Sequence, residues 1–305
     1  MASASTEKIS DKALRRAEKY GRKRMAAMRG ENVPLTIAGW IRFILRTLAI
    51  IALLIVFVPL HYLYRTLAYG SPFPMLFLRY TARVVGARVT IVGTPLRRDV
   101  FFIANHLSWI DILATAGASG TAFVAKQELS EVPVIGWLCS LNRTVFVKRE
   151  YRLGVAEQIN ALKEALQDNW SVTVFPEGTV TDGQSLLPFK SSMLSVLEPP
   201  PPGVLVQPVM LDYGENAEEI GWVGEESGLH NAMRIMARKG TFRLVIHYLE
   251  PFSPEDYRGR KAIAAKAREE IEAALVASLG RPLRDFEHTV EAIRYTAPDK
   301  NFPIE

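Results

Sequence analysis

At 305 residues, 49% hydrophobic and 23% charged, the chain has room for one large α/β core and lacks the composition of a polytopic membrane protein. A single cysteine, Cys139, excludes an internal disulfide framework, and its setting in Val134-Ile135-Gly136-Trp137-Leu138-Cys139 predicts a packed core thiol rather than a nucleophile. The net charge of +5 is concentrated in residues 1–38, which hold nine Lys/Arg against four Asp/Glu and leave 28 of each sign for the rest.

That basic region (1–38) leads into an apolar stretch rather than a globular domain, so an anionic membrane surface suits it better than nucleic acid. Leu48 to Leu60 has no polar side chain, and Thr47 to Tyr64 is interrupted only by His61. Arg46 and Arg65 bound the stretch, with Trp40, Tyr62 and Tyr64 as interfacial aromatics. It is short of the ~20 apolar residues of a comfortable span, and Pro59 predicts a kink near its end. No small-residue cleavage site follows, which argues against a cleaved signal peptide. Phe73 to Leu78 opens a second, amphipathic helix carrying Arg79 and Arg83. Cations at both ends oppose a single crossing. Residues 39–88 are therefore expected to form a membrane-associated helical hairpin, dipping into one leaflet with the body on the cytoplasmic side of an inner membrane.

From residue 89 to 280 short β-branched runs alternate with helical stretches. Strands are expected at Val89–Val92, Val100–Ala104, Ala122–Ala125, Thr144–Val147, Ser171–Phe175, Val204–Met210 and Thr241–Leu249. Helices are expected at Ile110–Ala118, Val134–Leu141, Leu153–Asn169, Ser191–Leu197, Asn231–Arg238 and Arg258–Leu279. The fold class is α/β: a mixed, mostly buried sheet flanked by helices, preceded by the hairpin. Pro208 interrupts its strand and predicts an edge or a bend. Residues 281–305 form a C-terminal tail.

The sharpest chemical feature is Asn105-His106-Leu107-Ser108-Trp109-Ile110-Asp111, directly after a predicted strand. On a straight helix, residues five apart point about 140° from each other, so His106 and Asp111 meet only if the chain turns between them. A strand end followed by Ser108 as N-cap supplies the turn and starts a helix at Trp109. Asp111 then fixes the imidazole tautomer and offsets the charge of an imidazolium. The bland alternative is a capping box, with His106 an ordinary loop residue. Phe175-Pro176-Glu177-Gly178-Thr179 ends another strand; there Gly178 permits close backbone approach, and Glu177 and Thr179 offer polar groups. A plain β-turn explains it equally well. The strand Thr144–Val147 runs into Lys148 and Arg149, suited to an anionic group or to solvent.

In this order and spacing, over residues 80–250, these blocks resemble the glycerolipid acyltransferase family, the PlsC-like enzymes that make phosphatidic acid from lysophosphatidic acid. His106 and Asp111 match its Asn-His-x4-Asp block, Arg149 its second, Phe175 to Thr179 its Phe-Pro-Glu-Gly-Thr block, and Pro208 its fourth. The resemblance implies His106 as general base and Asp111 as its orienting partner. It places Arg149, Glu177, Gly178 and Thr179 about the acceptor with Asn105 beside them, and Lys190 or Lys148 is the candidate cation for an acceptor phosphate. It also implies acyl-coenzyme A or an acyl carrier protein as donor, membrane lipids as partners, and neither a metal nor a bound cofactor. One departure is plain: the family commonly carries Arg after Glu-Gly-Thr, thought to bind the acceptor phosphate, and here Val180 and Thr181 follow. Lysophosphatidic acid is the first acceptor expected, and a phosphate-free lysolipid such as lyso-ornithine lipid is the alternative. A lipid hydrolase or transacylase using the same pair, and a non-catalytic membrane-binding protein, are the competing readings.

Overall fold

The computed structural model describes residues 21–67, 70–147 and 171–288. The predicted helix Leu153–Asn169, and Lys148 and Arg149, lie outside the described residues. The helical elements are α1 (21–28), α2 (Ile37–Leu67), α3 (Phe73–Val85), α4 (Ile110–Ser119), α5 (Glu128–Glu131), α6 (Ile135–Leu141), α7 (Ala217–Ile220), α8 (Gly228–Ala237) and α9 (Gly259–Leu279). The strands are β1 (Ala87–Val92), β2 (Val100–Ala104), β3 (Ala122–Lys126), β4 (Val145–Val147), β5 (Ser171–Val174), β6 (Leu205–Asp212) and β7 (Phe242–Tyr248).

These strands form one sheet in the order β1-β7-β6-β2-β5-β3-β4, parallel at every pairing except β6–β7. The sheet is thus mixed, as the alternating pattern predicts. Every residue of β2 is buried, and its side chains alternate between two cores. Val100, Phe102 and Ala104 face the layer of α3, α4 and α8, while Phe101 and Ile103 face α9 and a 3-10 turn at Ser191–Leu197. Each buried phenylalanine contributes about 2–3 kcal/mol through desolvation alone. The Ser191–Leu197 segment was expected as an α-helix; Leu194 leaves helical φ/ψ, which divides it.

Pro208 is not at an edge: β6 lies between β2 and β7. Its place is a slip in register on the β7 side. Val206 bridges Phe252, whereas Val209 pairs with Tyr248, so one extra residue sits opposite. The Pro208 carbonyl accepts from Leu249 N at 3.0 Å, and the missing N–H falls at the slip, where no ladder bond is lost.

α2 and α3 form the expected hairpin, but α2 continues through Pro59 for 31 residues, roughly 46 Å at 1.5 Å per residue. It is long and apolar enough to cross a membrane. One face carries exposed Ile41, Ile44, Leu48, Ile55 and Leu63 along its whole length. The other face is held to the body. Phe43 and Ile50 pack on the core, Phe57 stacks on Tyr80, and Tyr64 meets Phe73 edge-on. Arg42 and Arg46 donate to the carbonyls of Ile235, Met236 and Ala237 that end α8. The second half of the basic N-terminal region is likewise docked rather than free. Ala27 is fully buried, and Arg24 pairs with buried Glu226 at 3.0 Å. Several of the cations expected to face lipid are therefore spent inside the fold. Cys139 is half-buried on α6 rather than in the core, with its thiol pushed up by desolvation.

Candidate active site

Three loops meet where β5, β2 and β6 end side by side at their carboxyl ends. β2 continues through α4 to β3 on one side, while β5 connects across β2 to β6 on the other. Such a switch point leaves a crevice between diverging connections, and ligands of open α/β sheets bind there.

The loop after β2 carries His106. Helix α4 starts at Ile110, as its helical pattern predicts, with Trp109 rather than Ser108 at the N-cap, and Ser108 Oγ makes only a long 3.4 Å contact to Ile110 N. The Asp111 carboxylate takes over the turn. Its Oδ2 accepts from Leu107 N at 2.7 Å, Ser108 N at 2.9 Å and His106 Nδ1 at 2.8 Å. Helix-start and imidazole-orienting readings of Asp111 are thus both geometrically satisfied by one oxygen. With Nδ1–H donating to Asp111, the neutral form of the imidazole presents its lone pair at Nε2. The ring lies against Phe175, centroids 4.1 Å apart and 16° from parallel, and Phe175 stacks in turn on Phe123. The imidazole is 17% exposed, and Asp111 is fully buried.

The loop after β5 grips the His106 backbone from both sides. Glu177 Oε1 accepts from His106 N at 2.9 Å, and Thr181 N and Oγ1 donate to His106 O at 2.7 and 3.1 Å. Glu177 Oε2 accepts from Leu187 N at 2.9 Å. The Glu177 carboxylate, expected beside the acceptor, is therefore turned inward and 1% exposed. Asn105 is similarly committed: its Nδ2 donates to Leu211 O and its Oδ1 accepts from Leu211 N, prolonging the β2–β6 pairing past the strand end. Gly178 has φ of +72°, and a Cβ there would stand 2.6 Å from Lys190 Nζ, so Lys190 folds directly over this turn. The Phe175–Gly178 turn closes with Gly178 N donating to Phe175 O at 3.0 Å. Thr179 is half-buried beside it.

Tyr213, just past β6, was not among the residues expected. Its hydroxyl donates to Asp111 Oδ1 at 2.5 Å, and it is completely buried. Desolvation, with the Asp111 charge beside it, pushes its phenol well above the ordinary tyrosine range, so it stays a donor. Thr181 was also missed as a contact to His106. No local pattern marks either residue, because each meets the loop only through the sheet order.

Burial pushes the Glu177 carboxyl up to about 8, and the N–H groups of Leu187 and His106 pull it down only in part. A folded-state value raised above the unfolded one favours the protonated fold. This contribution is fully present below about pH 4.5 and is lost as pH rises towards 8. Glu177→Gln removes that titration. The melting temperature of wild type relative to the variant is expected to fall between these pH values, and a constant difference would show that Glu177 does not titrate there.

Among the described residues no group of three or more His, Cys, Asp or Glu is placed to hold a metal ion. Comparison with known proteins agrees with the geometry. A family model described as Acyltransferase matches residues 88–212, which include the His106, Glu177 and Pro208 blocks. The chain is 30% identical over 214 residues to a lyso-ornithine lipid O-acyltransferase of Rhodobacter capsulatus, covering 68% of this chain and 75% of that one. It is 38% identical over a shorter 105 residues to a 1-acyl-sn-glycerol-3-phosphate acyltransferase of Neisseria gonorrhoeae, covering 33% of this chain and 41% of that one. The fold matches the crystal structure of the 1-acyl-sn-glycerophosphate acyltransferase PlsC of Thermotoga maritima with a TM-score of 0.59 at 23% identity, over 81% of this chain and 100% of that one. The chain belongs to the PlsC-like acyltransferase family and is a lysolipid O-acyltransferase.

Proposed function

We propose that this enzyme transfers a fatty acyl group from an acyl thioester to the hydroxyl of a lysolipid without a phosphate head group, lyso-ornithine lipid being the model acceptor. The observation that carries this reading is Val180, standing where the family commonly places an arginine, immediately before the Thr181 that holds His106. The long match to a relative named for lyso-ornithine lipid supports it over lysophosphatidic acid, whose named relative matches a shorter stretch. An ornithine head group brings an ammonium and a carboxylate, and Lys190 beside Gly178 is the cation offered to the carboxylate. Arg149, by resemblance, and Lys148, as a second cation beside it in the sequence, remain proposed acceptor contacts.

In the proposed reaction His106 Nε2 removes the proton of the acceptor hydroxyl while Asp111 offsets the imidazolium charge. The hydroxyl oxygen forms a bond to the thioester carbonyl, the carbon–sulfur bond breaks, and the thiolate leaves with the proton returned from His106. Glu177, Thr181 and Asn105 act as positioning residues for the His106 loop. The test is an assay of purified full-length protein with acyl-coenzyme A and acyl carrier protein donors against both acceptors. A higher kcat/KM for lyso-ornithine lipid is expected, and Val180→Arg should shift the ratio towards lysophosphatidic acid. A wild-type preference for lysophosphatidic acid would reverse the acceptor assignment.

We also infer that the α2–α3 hairpin lies partly embedded in one leaflet. α2 is fastened to the body at both ends, from Arg42 and Arg46 on α8 to Tyr64 on Phe73, while one face stays apolar and exposed. Standing α2 upright across a bilayer would draw the polar body in with it, which costs several kcal/mol for each unsatisfied polar group. The same fastening means that removing residues 1–65 also strips the core under Phe43 and Ile50, so labelling is the cleaner test. In a Cys139→Ser background, cysteines placed at Ser5 and Ser253 should both react from the cytoplasmic face only. Labelling from opposite faces would establish a spanning anchor.

A further inference from the structure

A cavity of about 1050 Å³ opens at the other end of the sheet from His106. It lies where the last turns of α2 and the first of α3 meet the amino ends of β2, β3 and β4. Arg65 comes from α2, Arg97 and Arg98 from the loop entering β2, and Arg143 from the loop entering β4. Among its described lining residues none is acidic. Its less polar wall includes Met75, Trp137 and Leu141. Arg65, Arg97 and Arg98 converge on this concavity, and cations gathered around one hollow favour a bound anion there. His61 also lines the cavity; it is 6% exposed, and neither ring nitrogen has a hydrogen-bond partner among the described residues. A buried polar group without a partner is unfavourable, so its setting favours a polar ligand close by.

We propose that this cavity is an anion site, separate from the His106–Asp111 pair, that takes the phosphate of an amphiphilic ligand. Guanidinium groups suit phosphate because their planar N–H forks match its oxygens. The apolar wall and the volume leave room for more than a free phosphate. Exposed Leu67 of α2 and Trp137 of α6 line it, so it is bordered by lipid-compatible surface. Two amphiphiles carry that chemistry here, a bilayer phospholipid and an acyl-coenzyme A donor. The inference does not depend on the acceptor named above.

The test uses full-length protein and two variants, Arg97→Gln/Arg98→Gln and Arg65→Gln, all at exposed positions. One arm measures binding to phosphatidylcholine vesicles with and without phosphatidylglycerol. The other measures the KM for acyl-coenzyme A with a dispersed short-chain lysolipid. A phospholipid site predicts weaker binding to phosphatidylglycerol vesicles, roughly fivefold per arginine removed, with donor KM and kcat unchanged. A donor site predicts a raised KM for acyl-coenzyme A with kcat and vesicle binding unchanged. Either result supports the phosphate site and names its source. The control Arg258→Gln/Lys261→Gln removes two exposed charges near the start of α9, on the far side of the sheet. Variants that match wild type in both arms, or a control that loses as much as the cavity variants, would overturn the proposal.

Discussion

His106→Ala is expected to lower turnover by about 10²–10⁴-fold, the range of a lost general base, while leaving the fold in place. The fold should survive because the loop is held by its backbone. Glu177 takes the His106 N–H, Thr181 grips its carbonyl, and Asp111 keeps the N–H groups of Leu107 and Ser108. Losing the imidazole forfeits its contact with Phe175, a cost of about 1 kcal/mol. Steady-state rates with a saturating donor, set beside a thermal melt, separate the two effects. A variant that keeps more than about a tenth of wild-type turnover would move the base elsewhere, since general-base catalysis is worth at least 10². A membrane-binding protein without catalysis has no use for this imidazole.

Much of this was legible in the sequence, and what was not shares one physical cause. The positions of β2, β5 and β6 follow from β-branched runs, because strands buried on both faces need little more than apolar continuity. β2 is the clearest case, predicted and found at Val100–Ala104. The His106–Asp111 meeting was legible because it depends on local geometry alone. Tyr213 and Thr181 were not, since they reach the site from 102 and 75 residues away along the chain, through a strand order no local pattern encodes. The motifs mark Glu177 and Asn105 as site residues, but whether their polar groups face a ligand or a backbone depends on loops brought together by the fold. For Pro208 an edge and a bend read alike for a related reason: whether a missing N–H costs a hydrogen bond depends on the neighbouring strand's register. The apolar run within α2 understated its length, because the helix is stabilised by contacts to α3 and α8 as well as by its own composition.

Asp111→Asn is expected to reduce turnover by a further-reaching mechanism than loss of shape. The carboxylate is fully buried and meets four donors: three at Oδ2, from His106 Nδ1, Leu107 N and Ser108 N, and the Tyr213 hydroxyl at Oδ1. In one orientation, an asparagine keeps its carbonyl oxygen towards the three N–H donors and turns its amide to the Tyr213 oxygen, which can accept. The turn and the tautomer then survive, at a stability cost of about 1–3 kcal/mol for the weakened contacts. The negative charge does not survive, and it is what offsets the imidazolium formed as the acceptor hydroxyl loses its proton. The same change in a serine-protease triad lowers kcat by about 10⁴ with the wrong tautomer; with the tautomer kept, that figure is the upper bound, and a loss of about 10²–10⁴-fold at saturating substrate is expected. The opposite orientation would set the amide against three N–H groups and abolish the turn, so near-wild-type melting behaviour identifies the informative state. Tyr213→Phe supplies the complementary measurement. It removes one donor and leaves the charge, so its effect on kcat should be far smaller than that of Asp111→Asn. If both variants lose stability alike and neither loses turnover, Asp111 serves only to start α4.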